Sequence, residues 1–234
     1  MDAGAVCFGL AVLGLLTWGV FAVRRALVQN AEIKARPREL EALGRRLGLT
    51  LSEVDPEEAP SPIDQTIFQS DCGPPANRLE GVVDGKRVAV LESTVRRGAR
   101  IATYHTRACF LFEPPSGRWP RFILRAEDHA LDPQDEDDSL KGCVAVEVND
   151  EAFEEAFTLC AWNGEEVRGR FPPELRARLV AEQKAGRAFT VESLGSAVIA
   201  WKEDEESPST DLLAQRFQEA RAFVALVGSA ISGR

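Results

Sequence analysis

The sequence predicts an α+β protein in which an N-terminal transmembrane helix is followed by a domain with a mainly antiparallel β-sheet. Three observations predict this class: an uncharged apolar run near the N-terminus, alternating segments joined by short turns, and an amphipathic stripe close to the C-terminus. Hydrophobic residues make up 44% and charged residues 28% of the 234 positions, which is typical of a folded chain. Helices, including a C-terminal one, are expected to pack on the sheet.

The apolar run covers residues 3–23, none of which carries a charged side chain. As a helix it would be roughly 30 Å long, which matches the hydrocarbon core of a bilayer. Trp18 lies near its C-terminal end, where an interfacial aromatic residue is favoured, and Arg24 and Arg25 follow directly. Positive charge after the helix predicts that the rest of the chain faces the cytoplasm. A cleavable signal peptide would begin with a basic segment and have a shorter apolar core.

Three regions are expected: a transmembrane anchor over 1–25, a juxtamembrane helix and linker over 26–74, and a soluble α+β domain over 75–234. Within the second region, leucines at 40, 43 and 47 recur at helical spacing, and Gly48 stands where such a helix would stop. The polar, proline-rich stretch 50–62 predicts a loop.

The first half of the soluble domain reads as strands. Asp84-Gly85, between the apolar runs 79–83 and 88–91, predicts a hairpin. Strict alternation over 101–112 predicts another strand, and residues 122–124 begin a fourth. Consecutive strands with short connections predict an antiparallel meander. A fifth strand is expected over 144–148.

Short helices are expected next. Asn149 or Asp150 is suited to cap a helix that carries Phe153 and Phe157 four residues apart. The Pro-Pro pair at 172–173 is typical of the start of another helix.

A hairpin and a long helix are expected at the end of the chain. The hairpin is predicted over 188–201, and Thr210 is suited to cap the final helix. Apolar residues at spacings of four and three predict that this helix packs on the sheet: Leu213, Phe217, Ala220, Val224 and Val227.

Several motifs recur in an order known from a bacterial family. They are residues 77–81 and 85–88 around the first hairpin, residues 120–125, the pair Phe153 and Phe157, residues 171–175, and the hairpin 188–201. In this order they resemble a group of uncharacterised bacterial proteins with N-terminal membrane helices and a cytoplasmic domain of unknown function. The resemblance covers about residues 75–228. It implies the fold and a place at the cell inner membrane, and it brings no catalytic residues with it.

Charge is distributed unevenly along the chain. The net charge of −9 argues against nucleic acid as the main partner. Bases concentrate around the strand ends, at Lys86, Arg87, Arg96, Arg97, Arg100 and Arg107. Of these, Arg96, Arg97 and Arg100 are candidates to face anionic lipid head groups, the alternative being simple exposure at a turn. Residues 125–155 contain twelve acids against two bases, and the acids at 132–138 lack the spacing of an EF-hand. A solvated acidic loop is expected there.

No chemical motif stands out. The five cysteines form no CxxC pair, and His105 and His129 are the only histidines, so neither a metal nor a cofactor is expected. Tyr104 adjoins His105 but points to the opposite side of a strand. Ser193 lacks the spacing of a nucleophile elbow, and no phosphate-binding glycine loop occurs.

The function expected from these observations is that of a non-catalytic interaction module. The anchor would hold the domain at the cytoplasmic face of the membrane, where it would recruit a protein partner. The alternative is a small-ligand or lipid-binding domain with an apolar pocket beneath the strands of residues 79–112. The identity of the partner and the oligomeric state are left open by the sequence.

Overall fold

The computed structural model describes residues 35–52, 66, 75–97, 103–114, 117–126, 141–202 and 208–231; the side chains of 94–97, 103–105 and 230 are not described. The chain divides into two compact units, Met1–Ala42 and Leu43–Arg234. The expected anchor over 3–23, with Trp18, Arg24 and Arg25, lies outside the described residues. Among the helices that are described, none combines the length and the apolar character needed to cross a membrane.

The described residues form nine strands and five helices. Residues 35–47 form helix α1. The other elements are β1 (Leu49–Ser52), β2 (Pro75–Val83), β3 (Lys86–Arg97), β4 (Thr103–Phe112), β5 (Phe122–Ala126), β6 (Val144–Ala145), α2 (Glu151–Ala156), β7 (Phe157–Ala161), α3 (Gly164–Arg168), α4 (Pro173–Lys184), β8 (Thr190–Ser193), β9 (Val198–Trp201) and α5 (Thr210–Ile231). The α+β class with a C-terminal helix is confirmed.

The nine described strands form one sheet in the order β1-β2-β3-β4-β9-β8-β5-β7-β6, and every neighbouring pair is antiparallel. The predicted hairpins β2–β3 and β8–β9 are confirmed. The predicted meander is correct as far as β4 and wrong for β5. The later hairpin β8–β9 lies between β4 and β5, because β4 pairs with β9 and β5 pairs with β8.

The sheet has two faces of different character. Residues opposite each other on antiparallel neighbours share a face, and consecutive residues alternate between faces. One row crosses seven strands as Leu79, Val90, Phe110, Ala200, Val191, Leu124 and Leu159. A row on the opposite face contains Ala89, Leu111, Ile199, Glu192, Ile123, Cys160 and Ala145.

The first of these faces, called here the helix-covered face, carries the helices. Phe217 of α5 packs against Phe110 and Phe112, with ring centroids 6.2 and 5.9 Å away. All five residues of the predicted α5 stripe are buried, which confirms it. Phe153 of α2 stacks on Phe157 at 5.5 Å, and Phe171, just before α4, meets Phe122 edge-on at 5.5 Å.

The end of α1, residues 43–47, and helix α3 lie on the same face. Gly44 of α1 lies so close to β1 and β2 that an added Cβ would be 2.7 Å from the carbonyl oxygen of Leu49 and 3.3 Å from Leu79 Cδ2. Gly164 of α3 lies beside Val144, where an added Cβ would be 3.8 Å from Cγ2. The opposite face of the sheet, called here the helix-free face, carries none of the helices that are described.

Three local predictions need correction. Residues 50–52, expected in a loop, belong to β1, because Leu49–Ser52 pairs with β2. Phe157 does not share a helix with Phe153; it begins β7, since the chain becomes extended after Ala156. Thr210 is not the cap of α5: the backbone N–H of Leu212 donates to the Ser209 hydroxyl at 3.2 Å, one residue earlier. Asp150 is the cap of α2, accepting from the Phe153 N–H at 3.2 Å.

Candidate functional site

The centre of the helix-free face is an apolar cluster. Its buried members are Leu91, Cys109, Ile123, Ile199 and Trp201, and the half-buried residues packed against it are Leu111, Cys143, Cys160, Trp162 and Leu194. Glu192, in register between Ile199 and Ile123, is 0% exposed. This face therefore combines an apolar centre with a fully buried carboxyl group.

The edge of the helix-free face near β6 brings an arginine onto a tryptophan. Phe122 pairs with Ala161 in antiparallel register. Arg121, which precedes Phe122, therefore stands opposite Trp162, which follows Ala161, and both are on the helix-free face. The Arg121 guanidinium carbon lies 4.2 Å from the centroid of the Trp162 ring, within the range of a cation–π interaction. The indole Nε1–H of Trp162 donates to the Lys141 carbonyl at 3.1 Å, which fixes the ring.

Two thiols lie beside this arginine–tryptophan pair. Val144 pairs with Ala161 and Ala145 with Cys160, so Cys143, one residue before β6, is on the same face as Cys160 and diagonal to it. The Cys143 thiol donates a hydrogen bond to the Cys160 sulfur, and this bond lowers the pKa of Cys160 from 9.0 to about 7 in spite of burial.

The same contact has the opposite effect on the second thiol. The hydrogen bond to Cys160, followed by burial, raises the pKa of Cys143 well above its usual range, and the charge of Glu192 adds to this while Arg121 counters it. The pair therefore gives up one proton near neutral pH and holds the other. Chemically, the arrangement provides a half-buried thiolate with a thiol as its immediate neighbour.

The expected lipid-facing bases do not form a single surface with the other bases. Arg96 and Arg97 end β3, whereas Lys86 and Arg87 begin it, which separates the two pairs by roughly 30 Å of strand. Arg107 is only 4% exposed, so it is not a surface base at all. The predicted cluster of six bases is therefore divided. Arg100 and the acidic stretch 132–138 lie outside the described residues, and the lipid-facing role of Arg96, Arg97 and Arg100 stays a prediction.

The other sequence candidates are scattered. Ser193 is buried on the helix-covered face, opposite Phe122 and Val198. His105 pairs with Val95 in the backbone register of β3 and β4, and His129 lies outside the described residues. Within the described ranges, no group of three or more His, Cys, Asp and Glu side chains is placed to hold a metal ion.

The thiol pair is what the sequence reasoning missed. The cysteines are 17 positions apart, so a search for closely spaced pairs passes over them. They meet because residues 157–161 are a strand, which the spacing of Phe153 and Phe157 obscured. The signal was present in residues 157–161, where the apolar residues Phe157, Leu159 and Ala161 alternate with Thr158 and Cys160 at a period of two.

Comparisons with known proteins give a likeness in fold. No family model matches the sequence, and no curated protein matches it either. The crystal structure of the mycobacterial trehalose monomycolate transport factor A, TtfA, is similar, with a TM-score of 0.52 and 11% sequence identity over 84% of this chain and 94% of that chain. At this identity the likeness concerns the fold alone.

Proposed function

We propose that this protein is a single-pass, membrane-anchored, non-catalytic module that binds a protein partner at the cytoplasmic face of the inner membrane. The observation that carries the proposal is the arginine–tryptophan pair at the edge of the helix-free face. Arg121 is exposed, and its guanidinium carbon lies 4.2 Å from the centroid of the half-buried Trp162 ring. Arginine and tryptophan dominate the binding energy of protein interfaces, so this edge is a suitable centre for a contact surface.

The anchor supplies the second part of the proposal. Residues 3–23 have the length and composition of a transmembrane helix, and Arg24 and Arg25 favour a cytoplasmic position for the domain that follows. A tether raises the effective concentration of the domain toward any partner in the same membrane, so that even a modest interface can be occupied.

A second candidate function is lipid-related binding. The structural neighbour is a trehalose monomycolate transport factor, and it covers most of this chain. Arg96, Arg97 and Arg100 would then meet anionic head groups, each contributing about 1 kcal/mol when it is close to the membrane surface.

Site-specific photo-crosslinking in the full-length chain distinguishes the two functions. A benzophenone amino acid would replace Thr158, which is half-buried on the helix-free face, and in a matched control it would replace Gln218, which is exposed on α5. A protein adduct at position 158 that is absent at 218, and that is lost when Arg121→Ala and Trp162→Ala are added, supports the first function. A lipid adduct at 158 supports the second. Equal adducts at both positions, or none, would contradict both.

The anchor has its own test. Deleting residues 1–25 should move the protein from the membrane fraction to the supernatant after cell lysis. Replacing Arg24 and Arg25 together by Ala should weaken the bias for a cytoplasmic C-terminal side, as read by a reporter fused after Arg234. A truncated chain that stays in the membrane fraction would contradict the assignment of 3–23 as the anchor.

A further inference from the structure

The register of the sheet brings Cys143 and Cys160 together without close spacing in the sequence. Cys143 immediately precedes the two-residue edge strand β6, and Cys160 lies in β7, the strand to which β6 is paired. The two side chains share the helix-free face as diagonal neighbours, and their thiols are joined by a hydrogen bond. An edge strand of two residues is held by few backbone hydrogen bonds to its neighbour, so small movements of Cys143 toward Cys160 require little free energy.

The surroundings favour chemistry at Cys160. Both cysteines are half-buried, whereas Cys109 of the same face is completely buried. The Arg121 guanidinium and the Glu192 carboxyl group act on Cys143, whereas the pKa of Cys160 is set by the hydrogen bond from Cys143 against the effect of burial. With its pKa at about 7, Cys160 is substantially ionised at neutral pH, and the thiolate is the nucleophilic form of cysteine.

We propose that Cys143 and Cys160 form a dithiol redox site that closes to a disulfide when a low-molecular-weight disulfide such as oxidised glutathione reaches it. The Cys160 thiolate attacks one sulfur of the oxidant, forming a mixed disulfide and expelling one glutathione thiolate. The Cys143 thiol then loses its proton to that leaving group and attacks the Cys160 sulfur, which expels the second glutathione. The protein loses two electrons and two protons, and one oxidised glutathione becomes two reduced ones.

The position of the bond suggests what it does. It would join the edge strand β6 to β7 directly beside Trp162, whose indole is held by the Lys141 carbonyl two residues before Cys143. Oxidation would thus fix the segment that positions the arginine–tryptophan pair. In a reducing compartment, disulfides are transient and serve catalysis or sensing. A half-buried, reversible pair fits such a role better than that of a permanent structural disulfide.

The digestion pattern of the chain makes the test direct. No Lys or Arg occurs between Gly142 and Val167, so trypsin leaves both cysteines in one peptide, 142–168. Glutamates at 147, 151, 154 and 155 then allow a second protease to cut between them. The full-length protein in membranes would be equilibrated with mixtures of reduced and oxidised glutathione and trapped with N-ethylmaleimide before digestion.

With increasing oxidised glutathione, the 142–168 peptide should change from a form with two maleimide labels to one with none and two hydrogens fewer than the reduced peptide. Its halves should stay joined after cleavage at glutamate until a reductant is added. Cys143→Ala should instead accumulate a glutathione adduct on Cys160, and Cys109→Ser should behave as the wild type. Two labels at every glutathione ratio, or stable glutathionylation of wild-type Cys160 without closure, would overturn the proposal.

A second readout separates a reactive pair from a structural one. The maleimide reaction rate of Cys160 should have its pH midpoint near 7 in the wild type. In Cys143→Ala the midpoint should move toward the ordinary thiol value of 9.0, because the hydrogen bond to the thiolate is lost while Arg121 and Glu192 remain. An unchanged midpoint would show that Cys143 does not activate Cys160 and would count against the mechanism.

Discussion

The two faces of the sheet are built from the same strands and are buried in different ways. On the helix-covered face, Phe217 of α5 packs against Phe110 and Phe112, Phe171 before α4 packs against Phe122, and Phe153 of α2 stacks on Phe157. On the helix-free face, the cluster around Ile123 and Trp201 contains a buried carboxyl group and three cysteines. The first face is thus filled by aromatic packing, whereas the second combines apolar side chains with thiols and a carboxyl group.

Both faces are nevertheless buried at the centre of the sheet, and β5 and β9 accordingly read as nearly continuous apolar runs. In β5, both Ile123 and Leu124 are buried, although adjacent side chains point to opposite faces. A strand with one solvated face would show alternation between apolar and polar residues. Every residue of β8 and β9 is buried, as is every residue of β5 except Arg125, so both faces of the sheet centre are shielded from water.

The largest expected effect is on the helix-covered face. Phe217→Ala should lower the free energy of unfolding by about 3–5 kcal/mol, because the ring is 0% exposed and packs between α5 and β4. Urea denaturation of the full-length protein in detergent measures the loss, and Gln218→Ala, one residue along on the exposed side, is the control. If Phe217→Ala does not fold, Phe217→Leu should show a smaller loss in the same direction. A loss no greater than that of the control would contradict the packing of α5 on the sheet.

A neighbouring pair in β5 compares the two faces directly. Leu124 is 0% and Ile123 is 1% exposed, but Leu124 faces the helices and Ile123 the helix-free side. Leu124→Ala should cost about 3–5 kcal/mol and Ile123→Ala about 2–3 kcal/mol, because helices fix the walls of the cavity at Leu124, whereas none of the described helices lies over Ile123. Urea denaturation of both variants gives the comparison. An equal or larger cost for Ile123→Ala would show that the helix-free face is packed as rigidly as the other.

The attachment of α2 to α4 provides a smaller, pH-dependent effect. Asp150 caps α2 and accepts from Arg176 Nε of α4 at 2.8 Å, and this hydrogen bond holds the pKa of Asp150 below its ordinary value of 3.8. Because the folded-state pKa is lowered, the stabilisation is present above pH 3.8 and disappears as the pH falls through the lower folded value. Asp150→Ala should therefore be less stable than the wild type at pH 6.

The stabilities of the wild type and of Asp150→Ala should converge in acid. Thermal unfolding curves of both proteins between pH 6 and pH 3 follow this convergence, and Glu174→Ala, which removes an exposed carboxylate from the first turn of α4, is the control. A difference between wild type and Asp150→Ala that stays constant throughout this range would contradict the role of the ionised carboxylate.

The smallest expected effect is at the edge of the helix-free face. A double-mutant cycle of Arg121→Ala and Trp162→Ala should give a coupling energy of about 0.5–1 kcal/mol, as for other exposed cation–π pairs. The same cycle between Arg121 and the distant Gln218 should give none. A coupling energy of zero for Arg121 and Trp162 would mean that the stack does not form in solution, and it would weaken the proposed contact surface.

The sequence was informative where local signals decide the structure. Asp84-Gly85 defines a hairpin because the turn requires positive φ, which both residues adopt, at 52° and 74°. The stripe on α5 identifies its buried face because helical spacing alone fixes which side chains align. In both cases the outcome depends on residues within a few positions of one another.

The pairing of strands that are distant in the sequence could not be predicted from such local signals. Nothing near Phe122 specifies that β8, rather than β4, will be its neighbour, since any strand edge offers the same backbone groups. The thiol pair was missed for the same reason, because it exists only once β6 pairs with β7. Phe153 and Phe157 also satisfied a helical spacing while belonging to two different elements.

The late position of the β8–β9 hairpin has a consequence for synthesis on the ribosome. The strands β1–β4 emerge first, yet the strand that completes their edge, β9, is not translated until residues 198–201. At ordinary elongation rates this delay is on the order of seconds, during which β4 and β5 each expose an unpaired apolar edge to other nascent chains. Messenger RNAs truncated between codons 126 and 190 should therefore yield insoluble polypeptides. A membrane helix that recruits the ribosome to the bilayer early would keep nascent chains apart until the β8–β9 hairpin has been synthesised.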